Sequence, residues 1–562
     1  MNPPTDRTVG QVVVDVIRAH GVRRAYCVPG ESYLGVLEAV RELGSEFDLV
    51  VCRHEGGAAY MAEASGRLTG LPGVCMVTRG PGACNAAIGL HTAQHEGTPL
   101  ILLVGEVTTG TQGRAAFQDI DLQSFYGGMA KKVFRVTHAR EAATVMRQAF
   151  QLAMAGTPGP VVVGLPEDVQ FESVPATSLL PRDCPATAPD DSAVARLLTK
   201  LRTAQRPLIL VGGTQWTAQA RTFLLDFAQR NHIPVASTFR RLDLMANTSP
   251  SYVGSIGVVT PPELSTYLAQ SDLLLLLGGQ LGEIETARYS RLTEPHESRY
   301  VVHVLPSAEL QGLALQPNLA ITSDMEPVCR ALASAPVMQT PQWEQQCRSL
   351  KAAYENFLRP VQFAGRINPA NAVELLSQTL PTDTIVTLGA GNYTHFVLRH
   401  HVFHCADSLL APVCAPMGYS VPAAIAAAME APQREVVAYA GDGCFLMNAQ
   451  ELVTAAQRKL RLSVILLNNG IYGSIRMHQE LKYPGRPIAT DLHNPDFMAY
   501  ATSMGIPARR VREPDQLVQA WKELRAIHQG PILIEMMTDP EIVAPQRLIT
   551  RAVPAMHGTV AP

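Results

Sequence analysis

The chain has 562 residues, which is enough for three or four domains of ordinary size. Apolar residues make up 47% of it and charged residues 17%, a balance typical of a well-packed globular protein. The net charge of −3 and the lack of a long basic run argue against a nucleic-acid partner. No stretch reaches the roughly 18 apolar residues of a membrane span, and the first residues lack a signal-peptide pattern. We therefore expect a cytoplasmic protein without a membrane partner.

Apolar runs alternate with helical patterns through most of the chain, which predicts an α/β fold with parallel sheets. Proline-rich stretches interrupt this alternation at 181–189 and at 335–341. They predict three doubly wound parallel-sheet domains at 1–180, 190–340 and 360–545, followed by a carboxy-terminal tail at 546–562.

The ten cysteines form no CxxC pair, as in a reduced protein. Most of them lie among apolar or small residues, and Cys52, Cys75 and Cys84 are expected to be small core residues.

In the first predicted domain, the apolar run Val50–Cys52 predicts a strand, and the residues after Glu55 predict a helix. Glu55 thus stands at a strand-to-helix junction. A glutamate there is either a first-turn acid favoured by the helix dipole or a functional carboxylate, and this segment alone leaves both open.

The third predicted domain contains the most informative pattern of the chain. The strand predicted at Thr384–Thr387 leads into a glycine-rich loop, a type that can cradle phosphate with backbone N–H groups. The strand predicted at Val436–Ala440 precedes Gly441-Asp442-Gly443, and a helix is predicted at 448–460. A strand at Ser463–Leu467 then precedes Asn468-Asn469.

Loops at the carboxyl ends of parallel strands are where open α/β sheets bind ligands. Asp442 and Asn469 offer hard oxygen ligands, and Mg2+ usually completes its coordination with phosphate oxygens and water. The pattern therefore predicts a diphosphate held through a divalent cation.

This pattern resembles the cofactor motif of thiamine diphosphate enzymes. Blocks at 28–31, 78–85, 98–100 and 116–119 are similar to the acetohydroxyacid (acetolactate) synthase branch of that family. The resemblance implies a pyrimidine-binding, a central and a diphosphate-binding domain. It assigns Asp442, Asn469 and the main-chain oxygen of Ile471 to Mg2+, and Glu55 to the pyrimidine ring of thiamine diphosphate.

The resemblance also implies the other site residues. Glu55, Gln118 and Met417 are expected to be catalytic, and Met417 is expected to support the bent cofactor. The residues expected to contact the cofactor are Glu55, Gly391, Asn392, Met417, Gly441, Asp442, Gly443, Cys444, Asn469, Ile471, Tyr472 and Gly473. The residues expected around the substrate are Gly30, Glu31, Phe117, Gln118, Arg476 and His478.

Three of these assignments keep an alternative. Glu31 either begins a helix or is a pocket acid. Arg476 and His478 either contact a substrate carboxylate or lie on a solvated helix face. His478 stands where acetohydroxyacid synthases have a tryptophan that helps to select the second substrate, and this departure weakens an assignment to branched-chain amino-acid biosynthesis.

The central domain resembles the one that holds FAD in related enzymes, but it departs from their pattern. Residues 280–285 replace an Arg-Phe-Asp-Asp run, and 304–307 lack the acidic residue that usually binds a ribose. FAD is therefore not expected.

The resemblance implies a carboligase that takes a small-molecule 2-oxo acid and an aldehyde or ketone acceptor, as acetolactate synthase does. The alternatives are a non-oxidative 2-oxo acid decarboxylase or an acyloin lyase, and, from another class, a flavin oxidase. A homodimer or homotetramer is expected because the glutamate and metal motifs of one site come from different subunits in this family.

Overall fold

A computed structural model describes residues 6–175, 186–292, 299–338, 341–363 and 368–549. The predicted linker falls outside this range from 181 to 185, and the predicted tail falls outside it from 550 onward. Contacts divide the chain into two compact units. The first unit comprises Met1–Pro185, Val421–Pro432 and Asn448–Leu460, and the second comprises Ala186–Ser420, Gln433–Met447 and Arg461–Pro562.

The first unit contains a six-stranded parallel sheet. In spatial order its strands are Asp48–Val51, Arg24–Cys27, Gly73–Thr78, Leu100–Glu106, Pro160–Pro166 and Lys132–Arg135. Its main helices are Val9–Ala19, Leu34–Leu43, Glu55–Thr69, Arg79–Glu96, Leu122–Tyr126 and Ala142–Met154. Apolar side chains of the strands and helices form a shared core, as expected of a parallel sheet covered by helices.

The second unit contains two further six-stranded parallel sheets. In spatial order the strands of the central sheet are Tyr252–Ser255, Val235–Ser237, Pro207–Val211, Leu273–Leu277, Tyr300–Leu305 and Leu319–Thr322. The central helices are Asp191–Thr203, Ala218–Asn231, Pro262–Gln270, Met325–Ala333 and Pro341–Phe357.

The strands of the last sheet are, in spatial order, Leu409–Leu410, Ile385–Leu388, Val436–Gly441, Ser463–Asn468, Ile532–Met537 and Ala508–Val511. The helices between residues 369 and 527 are Pro369–Thr379, Tyr393–His400, Ser420–Glu430, Asp442–Phe445, Leu452–Gln457, Gly473–Lys482, Phe497–Ser503 and Pro514–Ile527. Of these, Ser420–Glu430 (from Val421 onward) and Leu452–Gln457 belong to the first unit. The three parallel sheets confirm the predicted fold class. No helix in the described part of the chain is long and apolar enough to cross a membrane.

Two local predictions need correction. The helix predicted at 448–460 is a short 3₁₀ turn, Ala449–Glu451, followed by the helix Leu452–Gln457. Cys52 and Cys75 are buried as expected, but Cys84 is exposed. It shares the solvent face of the helix Arg79–Glu96 with Ile88 and His91, which follow at helical spacing.

Candidate active site

The strands Ile385–Leu388, Val436–Gly441 and Ser463–Asn468 are neighbours in the last sheet, so the loops at their carboxyl ends converge. A cavity of about 250 Å³ lies there. Its wall includes every residue predicted to contact the cofactor from this part of the chain, namely Gly391, Asn392, Met417, Gly441, Asp442, Gly443, Cys444, Asn469, Ile471, Tyr472 and Gly473. The sequence prediction named neither Tyr393 nor Thr538, which also line the cavity.

Asp442 is the carboxylate of this cavity and is almost fully buried. Burial raises its pKa, while hydrogen bonds from Asn494 and from backbone amides oppose the rise. Its Oδ2 accepts from the Gly470 amide at 2.9 Å and from Asn494 Nδ2 at 2.8 Å. A carboxylate removed from water in this way is stabilised in its charged form by a nearby cation.

Behind Asp442 lies a polar network that the sequence prediction missed. Asn494 Nδ2 also donates to Asn468 Oδ1 at 3.1 Å, and Asn468 Nδ2 donates to Glu535 Oε1 at 2.7 Å. Arg510 Nε donates to the other oxygen of Glu535 at 2.5 Å. The one sign of this network in the sequence is the glutamate in the otherwise apolar run Ile532–Met537. A buried charge without a partner is too costly, so a glutamate in such a strand indicates a polar partner. Asn468, the first asparagine of the pair, thus anchors the loop.

Asn469 and Ile471 lie together in the next turn. Asn469 Oδ1 accepts from the Ile471 amide at 3.2 Å, and the carbonyl oxygen of Ile471 accepts from the Gly473 amide at 2.9 Å. A carbonyl oxygen has a second lone pair, so this bond leaves room for a metal ligand. Asp442, Asn469 and Ile471 line the same cavity, as the resemblance implied.

Cys444 joins three loops of the cavity. Its sulfur accepts a hydrogen bond from the Gly418 amide at 3.2 Å and lies 3.5 Å from the Tyr393 hydroxyl. That hydroxyl in turn accepts from the Gly389 amide at 3.0 Å. The thiol therefore holds the walls of the cavity together.

The two glycines around Asp442 serve close packing. Neither has a positive φ, so the backbone conformation does not require glycine at these positions. A Cβ at Gly441 would lie 2.9 Å from the ring of Tyr393, and a Cβ at Gly443 would overlap the ring of Tyr472. Both aromatic rings line the cavity, so the glycines let the strand end approach them.

The remaining predicted residues of this unit differ in their surroundings. Met417 is half-buried on the cavity wall. Arg476 donates to Thr490 Oγ1 at 2.6 Å and pairs with Asp491 at 2.5 Å, so it ties down the neighbouring loop. His478 is exposed on the helix Gly473–Lys482.

In the first unit, Glu55 is the first residue of the helix Glu55–Thr69. Asn85 Nδ2 donates to its Oε2 at 2.9 Å. His54 is the N-cap, and its ring nitrogen accepts from the Gly56 amide at 3.0 Å. Glu55 is half-buried, and its carboxylate is oriented by one neighbouring amide side chain.

A second cavity, of about 450 Å³, lies in the first unit and is lined by Phe117, Arg79 and Glu167, among others. Arg79 bridges two carboxylates, Glu31 at 2.8 Å and Glu167 at 3.0 Å. Glu31 also begins a short 3₁₀ turn, in keeping with the alternative in which it starts a helix. Phe117 is 72% exposed, so its ring is open to a ligand.

Strained backbone also occurs beside this second cavity. Arg79 and Gln118 both have positive φ, and the Gln118 carbonyl accepts from the Gly80 amide at 2.9 Å. Gly30 is packed so closely that a Cβ there would overlap Thr78. Residues in such unfavoured conformations cluster at functional sites.

The cavity of the second unit fits thiamine diphosphate with a divalent cation. Asn494 Oδ1 is buried and has no hydrogen-bond partner within the described chain, so an acceptor beside Asp442 is left for a ligand or water. Among the described residues no cluster of three or more His, Cys, Asp or Glu side chains is placed to hold a metal ion. A cation bound here would therefore depend on Asp442, amide and carbonyl oxygens and the diphosphate, which is the pattern of Mg2+ sites.

Comparisons with known proteins cover the same three parts of the chain. The family models described as thiamine pyrophosphate enzyme, N-terminal TPP binding domain, central domain and C-terminal TPP binding domain match residues 7–125, 194–332 and 389–536. The acetolactate synthase isozyme 2 large subunit of Escherichia coli K12 is 31% identical over 94% of this chain and 95% of its own length. The acetolactate synthase large subunit of Parasynechococcus marenigrum is 30% identical over 94% and 87%, and that of Corynebacterium glutamicum is 29% identical over 95% and 87%.

The chain therefore belongs to the thiamine pyrophosphate enzyme family. Within that family it is an acetolactate synthase-like enzyme, a thiamine diphosphate-dependent carboligase, and the flavin oxidase alternative is not favoured. The predicted family, enzyme class and main cofactor are thereby confirmed.

Proposed function

We propose that the enzyme decarboxylates pyruvate or a related small 2-oxo acid and joins the remaining acyl group to a second carbonyl compound. The observation that carries this proposal is the match of nearly the whole chain to acetolactate synthases, together with a cavity lined by the predicted cofactor residues. When bound, thiamine diphosphate supplies a nucleophilic carbon and an electron sink for this chemistry.

The residues of the chain then have separate tasks. Asp442, Asn469 and the Ile471 carbonyl hold Mg2+ and through it the diphosphate. Met417 supports the cofactor from the cavity wall, and Glu55 hydrogen-bonds the pyrimidine ring. A carboxylate in that place would hold a proton at the ring nitrogen that it contacts and so set the protonation state of the ring.

The substrate meets residues of the first unit in this proposal. Phe117 gives the cavity there an exposed apolar surface, while Gly30 and Gln118 shape the neighbouring loops. Arg79 brings a positive charge to its wall, with Glu31 and Glu167 as counter-charges. Arg476 already pairs with Asp491. The exposed His478 is proposed to contact the second substrate.

We further propose that the central domain works without FAD. Ser307 follows the strand Tyr300–Leu305 where a ribose-binding acid would stand. Glu285 accepts from the Gly282 amide at 3.0 Å and the Phe239 amide at 3.3 Å, so its carboxylate serves its own loop. A purified protein with no visible flavin absorption, and no gain in activity on adding FAD, is the expected result.

We also propose a cytoplasmic homodimer or homotetramer with domains at 1–180, 190–340 and 360–545. In support, Glu55 belongs to the first compact unit and Asp442 to the second. In the family, one site takes these two motifs from different subunits. A monomer with full activity in sedimentation and dilution experiments would contradict this assembly.

The function is tested by product analysis with thiamine diphosphate and Mg2+. Pyruvate and a panel of branched and aromatic 2-oxo acids are supplied singly, with and without an aldehyde acceptor. Release of CO2 with an optically active hydroxyketone or acetolactate is expected. Aldehyde as the sole product would instead establish the simple decarboxylase, for which the loss of the family tryptophan at His478 is the supporting observation. Cleavage of an added acyloin without CO2 release would establish the lyase.

Glu55→Gln tests the assignment of that residue. The amide keeps the size of the side chain but cannot act as a carboxylate, so turnover should fall by about 100-fold or more. Cofactor affinity should change little, because Asp442 and Asn469 are untouched. Full turnover in this variant would remove Glu55 from the mechanism.

A further inference from the structure

The strand Asp48–Val51, which ends just before Glu55, lies at the edge of its sheet. Within the same compact unit, the segment 448–460 contacts this strand. Arg458 donates to both carboxylate oxygens of Asp48, at 2.8 and 3.1 Å, and to the Leu49 carbonyl at 3.1 Å. Thr454 Oγ1 lies 3.4 Å from the Val51 carbonyl. The segment therefore covers an edge that would otherwise present unpaired backbone groups.

At the end of this contact lies Glu451, whose side chain is fully buried. Its Oε1 accepts hydrogen bonds from two successive backbone amides, those of Arg53 and His54, both at 2.9 Å. Its Oε2 accepts from Thr454 Oγ1 at 3.1 Å. Burial raises the pKa of Glu451, and the bonds from these amides oppose the rise. One carboxylate thus fixes the two residues that immediately precede Glu55.

The first turn of the Glu55 helix is shaped around this carboxylate. A Cβ at Gly57 would lie 2.7 Å from Glu451 Oε1, so a side chain at that position would collide with the carboxylate. His54 closes the same turn as its N-cap. The glycine at 57 and the acid at 451 therefore form a matched pair, although 394 positions separate them in the chain.

We propose that Glu451 is the positioning residue for Glu55. By fixing the amides of Arg53 and His54, it sets where the helix begins and hence where the Glu55 carboxylate points. It touches neither substrate nor cofactor in this role. The proposal rests on the proposed function of Glu55, since positioning matters for turnover only if that carboxylate takes part in the reaction.

The test compares Glu451→Ala, which leaves both amides without their acceptor, with Glu451→Gln, which keeps an acceptor oxygen. Gln457→Ala is the matched control: Gln457 lies on the same segment and accepts from the Arg53 side chain at 3.0 Å, but it does not touch the backbone of the loop. Turnover in Glu451→Ala should fall by about 10- to 100-fold, the range for a misplaced catalytic group. Glu451→Gln and Gln457→Ala should stay near the native rate.

Two further readouts separate positioning from a general structural effect. In the cofactor-free protein, hydrogen exchange of the Arg53 and His54 amides should accelerate in Glu451→Ala and stay slow in Glu451→Gln. In a Glu55→Gln background, Glu451→Ala should cause no further loss of turnover. An equal fold-loss in both backgrounds, or a native rate in Glu451→Ala, would overturn the proposal.

If Glu451→Ala does not fold, Gly57→Ala provides the second variant, because its Cβ displaces the same carboxylate. Its turnover should fall with the cofactor affinity retained, and a native rate would overturn the proposal. Failure of the proposed function itself is recognised separately. In that case Glu55→Gln keeps full turnover, while the amide exchange still reports whether Glu451 fixes the loop.

Discussion

Single buried groups bear on whether this site can hold the proposed cation. Asp442 is 2% exposed and burial raises its pKa, so a nearby cation would stabilise its charged form. The hydrogen bonds from Gly470 and Asn494 orient the carboxylate without supplying a positive charge. A divalent cation supplies one, which is why this residue and not an exposed acid is suited to the task.

Asp442→Ala should therefore lower the Mg2+-dependent affinity for thiamine diphosphate by at least about 100-fold, because it removes the one carboxylate of the predicted ligand set. Calorimetric titration of the cofactor with and without Mg2+ measures this. Asp515→Ala, at an exposed position of the helix Pro514–Ile527, is the control and should bind normally. Unchanged affinity in Asp442→Ala would refute the metal assignment.

Gly443 illustrates a steric requirement at the same scale. A methyl group there would overlap the Tyr472 ring, so Gly443→Ala should cost about 1–3 kcal/mol of unfolding free energy and weaken cofactor binding. The unfolding midpoint and the cofactor titration measure the two effects. Gly110→Ala is the matched control, since a Cβ at Gly110 meets no atom within 4 Å. Equal unfolding midpoints for the two variants would show that the Tyr472 ring moves aside without a cost in stability.

At the scale of elements, apolar runs predicted three of the six strands of the last sheet to within about a residue. Val436–Gly441 and Ser463–Asn468 are largely apolar strands that lead directly to Asp442 and Asn469, so the same segments predict both the strands and the candidate site. The helix predicted at 448–460 is shorter and begins as a 3₁₀ turn, because its apolar spacing satisfies both a 3₁₀ turn and a helix. Asn494 was missed because a long-range hydrogen bond leaves no local pattern in the chain.

Arg525 joins the helix Pro514–Ile527 to the last sheet. Its Nε donates to Glu435 Oε1 at 3.0 Å, and its side chain also bonds Ser463 Oγ and the Gly530 carbonyl. Both charged side chains are at least 96% buried, so removing one partner leaves the other charge poorly compensated. Arg461 also pairs with Glu435 at 3.0 Å and limits this effect.

Arg525→Met should accordingly reduce the free energy of unfolding by about 3 kcal/mol, the lower part of the range for a broken buried pair. Urea unfolding followed by circular dichroism measures the change. Lys522→Met, at an exposed position of the same helix, is the control and should stay close to the native value. A similar midpoint in both variants would mean that Arg461 alone compensates Glu435.

At the scale of the whole molecule, the predicted site residues fall in two compact units that the sequence describes unequally. The resemblance named cofactor residues of the second unit that all line one cavity, because their spacing is set by a strand, a loop and a second strand. In the first unit it named Phe117 and Glu31 but not Arg79, which links Glu31 to the cavity wall. An arginine in a helical first turn has no sequence pattern that distinguishes an ion pair from a solvated face.

The stability of the whole molecule should depend on pH through two buried histidines. His400 and His401 are at least 95% buried, and burial lowers the pKa of each to about 3. His400 Nδ1 lies 2.6 Å from the Leu358 carbonyl, which fixes a neutral ring with that nitrogen protonated. In the unfolded chain both rings titrate near pH 6.5. The unfolded state therefore binds more protons than the folded state below that pH. The stabilising effect of the two neutral histidines is complete above about pH 6.5 and is lost as the pH falls towards 3.

Each histidine should contribute a loss of about 1.4 kcal/mol per pH unit in that window. His400→Asn keeps an N–H donor for the Leu358 carbonyl but cannot titrate, so its unfolding free energy should fall less steeply between about pH 6 and about pH 4. Urea unfolding across this range measures the slope. His232→Asn is the control, because His232 is exposed and its positive φ suits asparagine. The control should keep the native slope, and an equally steep fall in His400→Asn would show that other groups govern the acid stability of the protein.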